Sequence, residues 1–387
     1  MSIATLTTPS SIRKRLEEIQ SKVSTGKRLS FEDGVFLFQP EVPLHELGRL
    51  AEEVCLRRHG RNVFYNLNMH LNPTNVCVYR CKLCAFYRTG KEPDAYYMTE
   101  DQILKRAEEA DRSGCTEIHI VGGLPGDKPF EWYVEILRLI HSHFPRLHLK
   151  AWTAVEIAWF CRISGLSVEK VLERLLEAGL GSLPGGGAEI FHPQVRQKIS
   201  AGKADGETWL NVHRIAHRMG LKTNATMLFG HIEAPEHRVD HMLRLRELQD
   251  ETGGFQVFIP LPFHPQGTAL SHLPKPSAFD CLRTLAVARL FLDNFPHIKA
   301  YWIALGVGLA QTALAYGAND LDGTVRYETI YHDAGAESPE ALSVGELCGL
   351  IREAGREPVE RDSLYRRVRR VSPTEWEIAE DSQSHGK

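Results

Sequence analysis

TEDQILKRAEEADRSGCTEIHIVGG (residues 99–123) contains one complete helix followed by one strand, with the boundary signals of both. Thr99 and Gln102 form a capping box, which satisfies free N–H groups of a first helical turn. Ile103, Leu104, Ala107 and Ala110 recur at helical spacing and predict the buried stripe, and Gly114 stops the helix. TEIHIVGG (116–123) is then a short apolar strand closed by two glycines.

The unit repeats in both directions. Upstream, VFYNLNMHLNP (63–73) reads as a strand. Downstream, helix WYVEILRLIHSHF precedes strand LHLKAW. Helix SVEKVLERLLEAG, with Val168, Val171, Leu172, Leu175 and Leu176 on one face and Gly179 as its stop, precedes GLGSLPGGG. ETWLNVHRIAHRMG leads into LKTNATMLFG, APEHRVDHMLRLRELQDETG into FQVFIPLPF, and AFDCLRTLAVARLFLDNF into IKAYWIA. LAQTALAYG and ANDLDG close the series. Strands alternating with helices of this length imply βαβ units and a parallel sheet. About eight such strands predict a closed (β/α)8 barrel of the TIM type. Residues 61–330 are expected to form it, with 1–60 as a helical extension and 331–387 as a C-terminal extension whose tail, EDSQSHGK, is expected to be disordered. In such barrels the chemistry gathers at the C-terminal ends of the strands.

Composition narrows the function. A net charge of −3 and a pI near 6.7 give no electrostatic reason for a nucleic-acid or membrane partner. No run approaches 18 apolar residues, and the first 20 residues hold no apolar core of signal-peptide length, so a cytoplasmic location is expected. Eight cysteines in 387 residues fit a reducing compartment better than a disulfide framework.

Three of the eight stand together. CVYRCKLC places Cys77, Cys81 and Cys84 directly after the first strand. Three thiolates hold three corners of a cubane iron–sulfur cluster, and four-cysteine motifs supply the fourth nearby. Here the next cysteine is Cys115, which leaves one iron open to a small chelating molecule. A structural zinc site closes with four ligands, which this triplet lacks. Cys55, Cys115, Cys161, Cys281 and Cys348 sit among apolar or helical neighbours and read as core residues.

Other strand ends add candidates. Gly122 and Gly123 suit either a tight turn or close approach of a ligand to the backbone. LPGGGAEIF (183–191) follows three glycines with Glu189, either an acceptor for a bound ligand or a solvated loop acid. His213 and His217 have a metal-like spacing but fall beside the apolar face and read as a solvated flank, and His237 and His241 repeat the spacing in another polar helix where nothing supports a metal. His231 and His264 each follow a strand end and are candidates for the cavity. GVGLAQ (306–311) is an incomplete dinucleotide fingerprint, and RRVRR (366–370) reads as a solvated basic run.

The Cys-x3-Cys-x2-Cys spacing resembles that of the radical S-adenosylmethionine (SAM) enzymes. Together with IVGG, LPGGGAEIF, NATMLFGHIEAPEHRVDHMLRLRELQDETGGFQVFIPLPFHP and NDLDGT, it makes residues 30–370 similar to the members of the futalosine route to menaquinone and their relatives in deazaflavin synthesis. The resemblance implies a 4Fe–4S cluster on Cys77, Cys81 and Cys84, SAM as co-substrate, and an electron donor such as flavodoxin or ferredoxin. It implies Phe86, Gly122, Gly123 and Glu189 as SAM contacts. SLPGGGAEIF and TMLFGHIEAPEHRVDH resemble the synthase branch most, in which the 5′-deoxyadenosyl radical adds to the vinyl carbon of 3-[(1-carboxyvinyl)oxy]benzoate. Dehypoxanthine futalosine cyclase and the deazaflavin-forming enzymes are the alternatives. A substrate with two carboxylates needs cationic or hydrogen-bonding partners in a dry cavity. Arg80 and His231 are the candidate catalytic anchors, and Asn68, Asn72, Asn75 and His264 the candidate substrate contacts. Phe86, Tyr87, Phe229 and Phe263 are suited to exclude water.

Overall fold

The computed structural model describes residues 10–379. The predicted first strand is two strands: β1 (Asn62–Asn66) and β2 (Asn68–Leu71) change sheets at Leu67. Seven parallel strands then follow one another in chain order: β2, β3 (Glu117–Ile120), β4 (His148–Ala151), β5 (Leu180–Leu183), β6 (Lys222–Phe229), β7 (Phe255–Pro262) and β8 (His297–Ile298). The eighth, β9 (Asp320–Gly323), spans the seam. Asp320 bridges Lys299 beyond β8, and Arg326 bridges Met69 on β2, both in parallel sense. The sheet therefore curls into a parallel barrel of the TIM kind.

Strand alternation explains what fills it. Side chains of a strand point to opposite faces in turn. Met69, Ile118 and Leu149 share a register row, as do Leu71, Ile120 and Ala151, and all six are fully buried on the helical side. The intervening rows, Asn68–Glu117–His148 and His70–His119–Lys150, are polar and face inward. The barrel core is thus charged at its closed end. Lys150 Nζ lies 2.5 Å from Glu117 Oε2, and Lys299 Nζ 3.0 Å from Asp322 Oδ1. Burial alone would raise the Glu117 carboxyl, but Lys150 holds it well below the usual carboxylate range.

The helix at 99–114 forms as Glu100–Arg112 with its capping box. Ile103, Ala107 and Ala110 are buried, while Leu104 is half-buried. A helix that pattern reading passed over, Ala154–Ser164, has its own capping box between Thr153 and Glu156. IKAYWIA is mostly not strand: after Ile298 the chain turns into a helix at Trp302–Leu305. C-terminal to the barrel, helix Val344–Glu353 leads to β10 (Glu357–Glu360), which pairs with β1 in a second sheet of order β10–β1–β9.

The paired histidines are a correction. His213 and His241 are fully buried rather than solvated. His213 Nδ1 lies 2.9 Å from Thr223 Oγ1 and its ring packs on Trp209, while His241 Nε2 donates to the Thr226 carbonyl at 2.9 Å and stacks on Phe191. Burial depresses both imidazoles, His241 to about 3, so they act as neutral packing groups with one hydrogen bond each. The basic run is engaged inside the chain, with Arg366 on Asp362, Arg369 on Glu377 and Arg370 on Glu360. The terminal EDSQSHGK lies outside the described residues. Among those residues no helix is long and apolar enough to cross a membrane.

Candidate active site

The loop between β2 and the helix at Glu100 carries the cysteines and is tied down along its length. Val76 bridges Arg88, Cys77 N–H donates to the Arg88 carbonyl at 2.9 Å, and Arg88 N–H to that of Asn75 at 2.7 Å. Outside contacts fix its position: Val78 N–H donates to the Leu124 carbonyl and Lys82 N–H to that of Ile199, each at 2.8 Å. The Arg88 guanidinium donates to the carbonyls of Ala85, Phe86 and Tyr87 at 2.9, 3.2 and 3.0 Å, and pairs with Asp94. Pattern reading missed Arg88, since a lone arginine four residues past a cysteine carries no periodic signal.

Cys77, Cys81 and Cys84 line one cavity of ≈ 330 Å³ at the C-terminal mouth of the barrel, with Gly122, Gly123, Gly185–Gly187 and Glu189. No other cysteine lines it. Burial pushes all three thiols up, Cys84 to about 11. Among the described residues no three His, Cys, Asp or Glu groups gather as ligands of a single ion. Three thiols on one wall, not converging on one point, suit a multi-iron cluster with an open corner better than zinc.

The glycines are there because backbone is close. A Cβ on Gly123 would lie 2.2 Å from the Val76 carbonyl oxygen, inside the cysteine loop. On Gly185 it would lie 2.7 Å from the Asn224 carbonyl. Gly123 N–H donates to the Thr74 carbonyl at 2.7 Å, locking the second strand end to the loop. Arg196 clamps the triple-glycine segment by donating to the carbonyls of Gly187 and Ala188 at 2.9 and 2.7 Å. Glu189 follows with φ +47°, a left-handed conformation that costs a non-glycine residue energy and clusters at functional sites. Its carboxylate is not free, because Lys203 Nζ lies 2.5 Å away inside the same cavity. Burial opposes ionisation there, but Lys203 and Arg196 keep Glu189 below its ordinary range.

Glu156 was not foreseen, because its helix was not. Its carboxylate lines the cavity, accepting N–H from Gly122 at 3.1 Å and from Thr153 at 2.6 Å. Burial raises it to about 7.

Several expected residues stand elsewhere. Arg80 is exposed and outside the cavity lining. His231 is turned away from the cavity, with Nδ1 3.0 Å from Glu233 and Nε2 3.1 Å from the Leu228 carbonyl. Strand parity puts Leu228, not Phe229, on the cavity wall. The three asparagines are structural staples. Asn68 donates to Asp322, Asn72 to the Val121 carbonyl, and Asn75 to the Asp94 carbonyl. Phe86, Tyr87, Phe263 and His264 do line the cavity, and His264 Nε2 is bonded to the Ala304 carbonyl at 2.8 Å.

Comparisons with known proteins agree with this geometry. A profile of the radical SAM superfamily matches residues 71–245, and one of the CofH/MqnC C-terminal region matches residues 252–374. The chain is 48% identical over 359 residues to an aminodeoxyfutalosine synthase of Thermus thermophilus, covering 92% of this chain and 96% of that protein. It is 46% identical to the aminodeoxyfutalosine synthase of Streptomyces coelicolor, covering 91% and 94%. A 5-amino-6-(D-ribitylamino)uracil–L-tyrosine 4-hydroxyphenyl transferase of Methanopyrus kandleri is 41% identical, covering 86% and 91%. Among solved structures, the FeFe-hydrogenase maturase HydG of Carboxydothermus hydrogenoformans superposes with a TM-score of 0.70 at 17% identity, covering 92% of this chain and 81% of that one. That likeness concerns the fold alone.

Proposed function

Because this chain belongs to the radical SAM superfamily, with a 4Fe–4S cluster and SAM as its reactants, we propose that it is an aminodeoxyfutalosine synthase of menaquinone biosynthesis. In this reading it joins the 5′-deoxyadenosyl group of SAM to the vinyl carbon of 3-[(1-carboxyvinyl)oxy]benzoate. The products are 6-amino-6-deoxyfutalosine, methionine and bicarbonate. The observation that carries the reading is the near full-length similarity to synthases, which exceeds the similarity to the transferase.

Cys77, Cys81 and Cys84 would hold the cluster, which when bound would supply the electron for cleavage of SAM. The protein does the rest. Gly122 and Gly123, tied to Glu156 and to the cysteine loop, stand on the cavity wall where SAM would lie, and Glu156 presents a buried carboxyl there. Phe86, Leu228, Ile259, Leu261 and Phe263 make a wall with few hydrogen donors, which suits a carbon radical that must add rather than abstract. Addition needs the vinyl carbon held within roughly 3–3.5 Å of the radical carbon. The residues lining the cavity at the barrel mouth would supply that restraint.

The test is incubation of the reconstituted enzyme with SAM labelled in its adenosyl carbons and the aryl vinyl ether. Label is expected in a product of aminodeoxyfutalosine mass. Label found only in free 5′-deoxyadenosine, with dehypoxanthine futalosine cyclised or tyrosine coupled to the pyrimidine instead, overturns the reading.

A further inference from the structure

We propose that His70 and His119 form the floor of the cavity and bind the benzoate carboxylate of the aryl vinyl ether. The proposal rests on the synthase reading and extends it to the part of the substrate that does not react.

The two residues are register partners on β2 and β3. Both point into the barrel, with ring centroids 4.7 Å apart and planes at 15°. Both line the cavity. His119 lies three residues before Gly122, roughly 10 Å nearer the closed end at about 3.3 Å per residue.

Their bonding sets them apart. The other buried histidines are each fastened through a ring nitrogen: His213 to Thr223, His241 to the Thr226 carbonyl, His264 to that of Ala304 and His297 to Asn319. Among the described residues none of the four ring nitrogens of His70 and His119 has a hydrogen-bond partner within the protein. His70 is buried and His119 half-buried, so their free ring nitrogens face the cavity, where a ligand can take them up.

The cations around the cavity are already paired, which leaves these rings as open hydrogen-bond donors for an anion. Lys203 is paired with Glu189, Lys150 with Glu117 and Lys299 with Asp322. Arg80 is outside the cavity lining. A carboxylate entering the cavity finds no unpaired lysine or arginine on its wall. The acids facing the rings, Asp322 and Glu328, are compensated by Lys299 at 3.0 Å and His332 at 3.2 Å. Burial holds both imidazoles below their ordinary range, so each stays neutral and presents an N–H donor to the carboxylate.

The experiment uses anaerobically reconstituted holoenzyme and two ligands, 3-[(1-carboxyvinyl)oxy]benzoate and its near-isosteric benzamide, titrated calorimetrically. The wild type is expected to bind the acid at least tenfold more tightly than the amide. In His119→Asn and in His70→Asn that preference should collapse to about twofold. The SAM-induced change in the EPR spectrum of the reduced cluster should keep its wild-type concentration dependence in both variants. A preference that survives in both overturns the proposal, as does an equal affinity of the wild type for acid and amide. Failure of the synthase reading is seen separately, as wild-type enzyme that cleaves SAM yet never incorporates the adenosyl label, and the proposal falls with it.

Discussion

A buried carboxyl without a cation beside it is uncommon, and Glu156 has no ion-pair partner among the described residues while accepting two backbone N–H groups. Its burial raises it from 4.5 to about 7. Between those values the folded protein keeps a proton that the unfolded chain has released. Its contribution to stability is therefore fully present below pH 4.5 and is lost as pH rises through about 7. That interval corresponds to about 3 kcal/mol. In cofactor-free protein, Glu156→Gln should gain up to that amount relative to wild type between pH 4.5 and 8, read from denaturant midpoints. A difference that stays flat across this range would show that Glu156 ionises normally. At the cysteines the expectation is simpler. Cys81→Ala should lose the cluster's visible absorption and SAM cleavage together, and a variant that kept both would remove the triplet from the site.

The cysteine loop has little regular structure of its own and depends on neighbouring elements. Gly123 meets Val76 at backbone distance, so Gly123→Ala must push β3's end and the loop apart. Arg88→Ala would release three carbonyls of the 85–87 turn and cost about 1–3 kcal/mol. Both variants are expected to fold and to carry less iron per chain, measured by metal analysis after reconstitution. Full iron loading in both would show that the loop holds its shape unaided. These elements also show what a linear sequence reveals. The strand–helix alternation and the cysteine triplet were legible because period and spacing are local signals. Leu67, where one apparent strand becomes two, was not, because the change of sheet is set by β9 and β10 more than 250 residues away. Arg80 and the three asparagines looked available because polar residues at a strand end are the usual cavity lining. The asparagines' actual partners, Asp322, the Val121 carbonyl and the Asp94 carbonyl, are tertiary, and Arg80 is exposed. Glu156 was hidden by a helix whose residues, AVEIAWFCRIS, are apolar nearly all round and show little period.

At the scale of the whole molecule, the barrel is open to ligands at one end and closed by charge at the other. The closing residues come from far along the chain. Arg361, just past β10, lies 2.7 Å from Asp320 and 4.0 Å from Asp322, and Ser363 donates to Glu117 at 2.6 Å. The segment after β10 therefore belongs to the barrel's interior and completes a network that runs through Lys299 to the cavity floor. A buried pair is weak evidence of net stability, but removing one member leaves an uncompensated charge and costs about 3–5 kcal/mol. Arg361→Leu should lower the unfolding free energy by that amount, seen as a lower denaturant midpoint with the slope of the transition unchanged. Asp320→Asn alone should also destabilise, since it strands Arg361. If the two groups act as a pair, the double variant will lose less than the sum of the single losses, by at least about 1 kcal/mol. Strict additivity would mean that Lys299, 3.8 Å from Asp320, already neutralises the carboxylate and that Arg361 holds the C-terminal segment through packing alone.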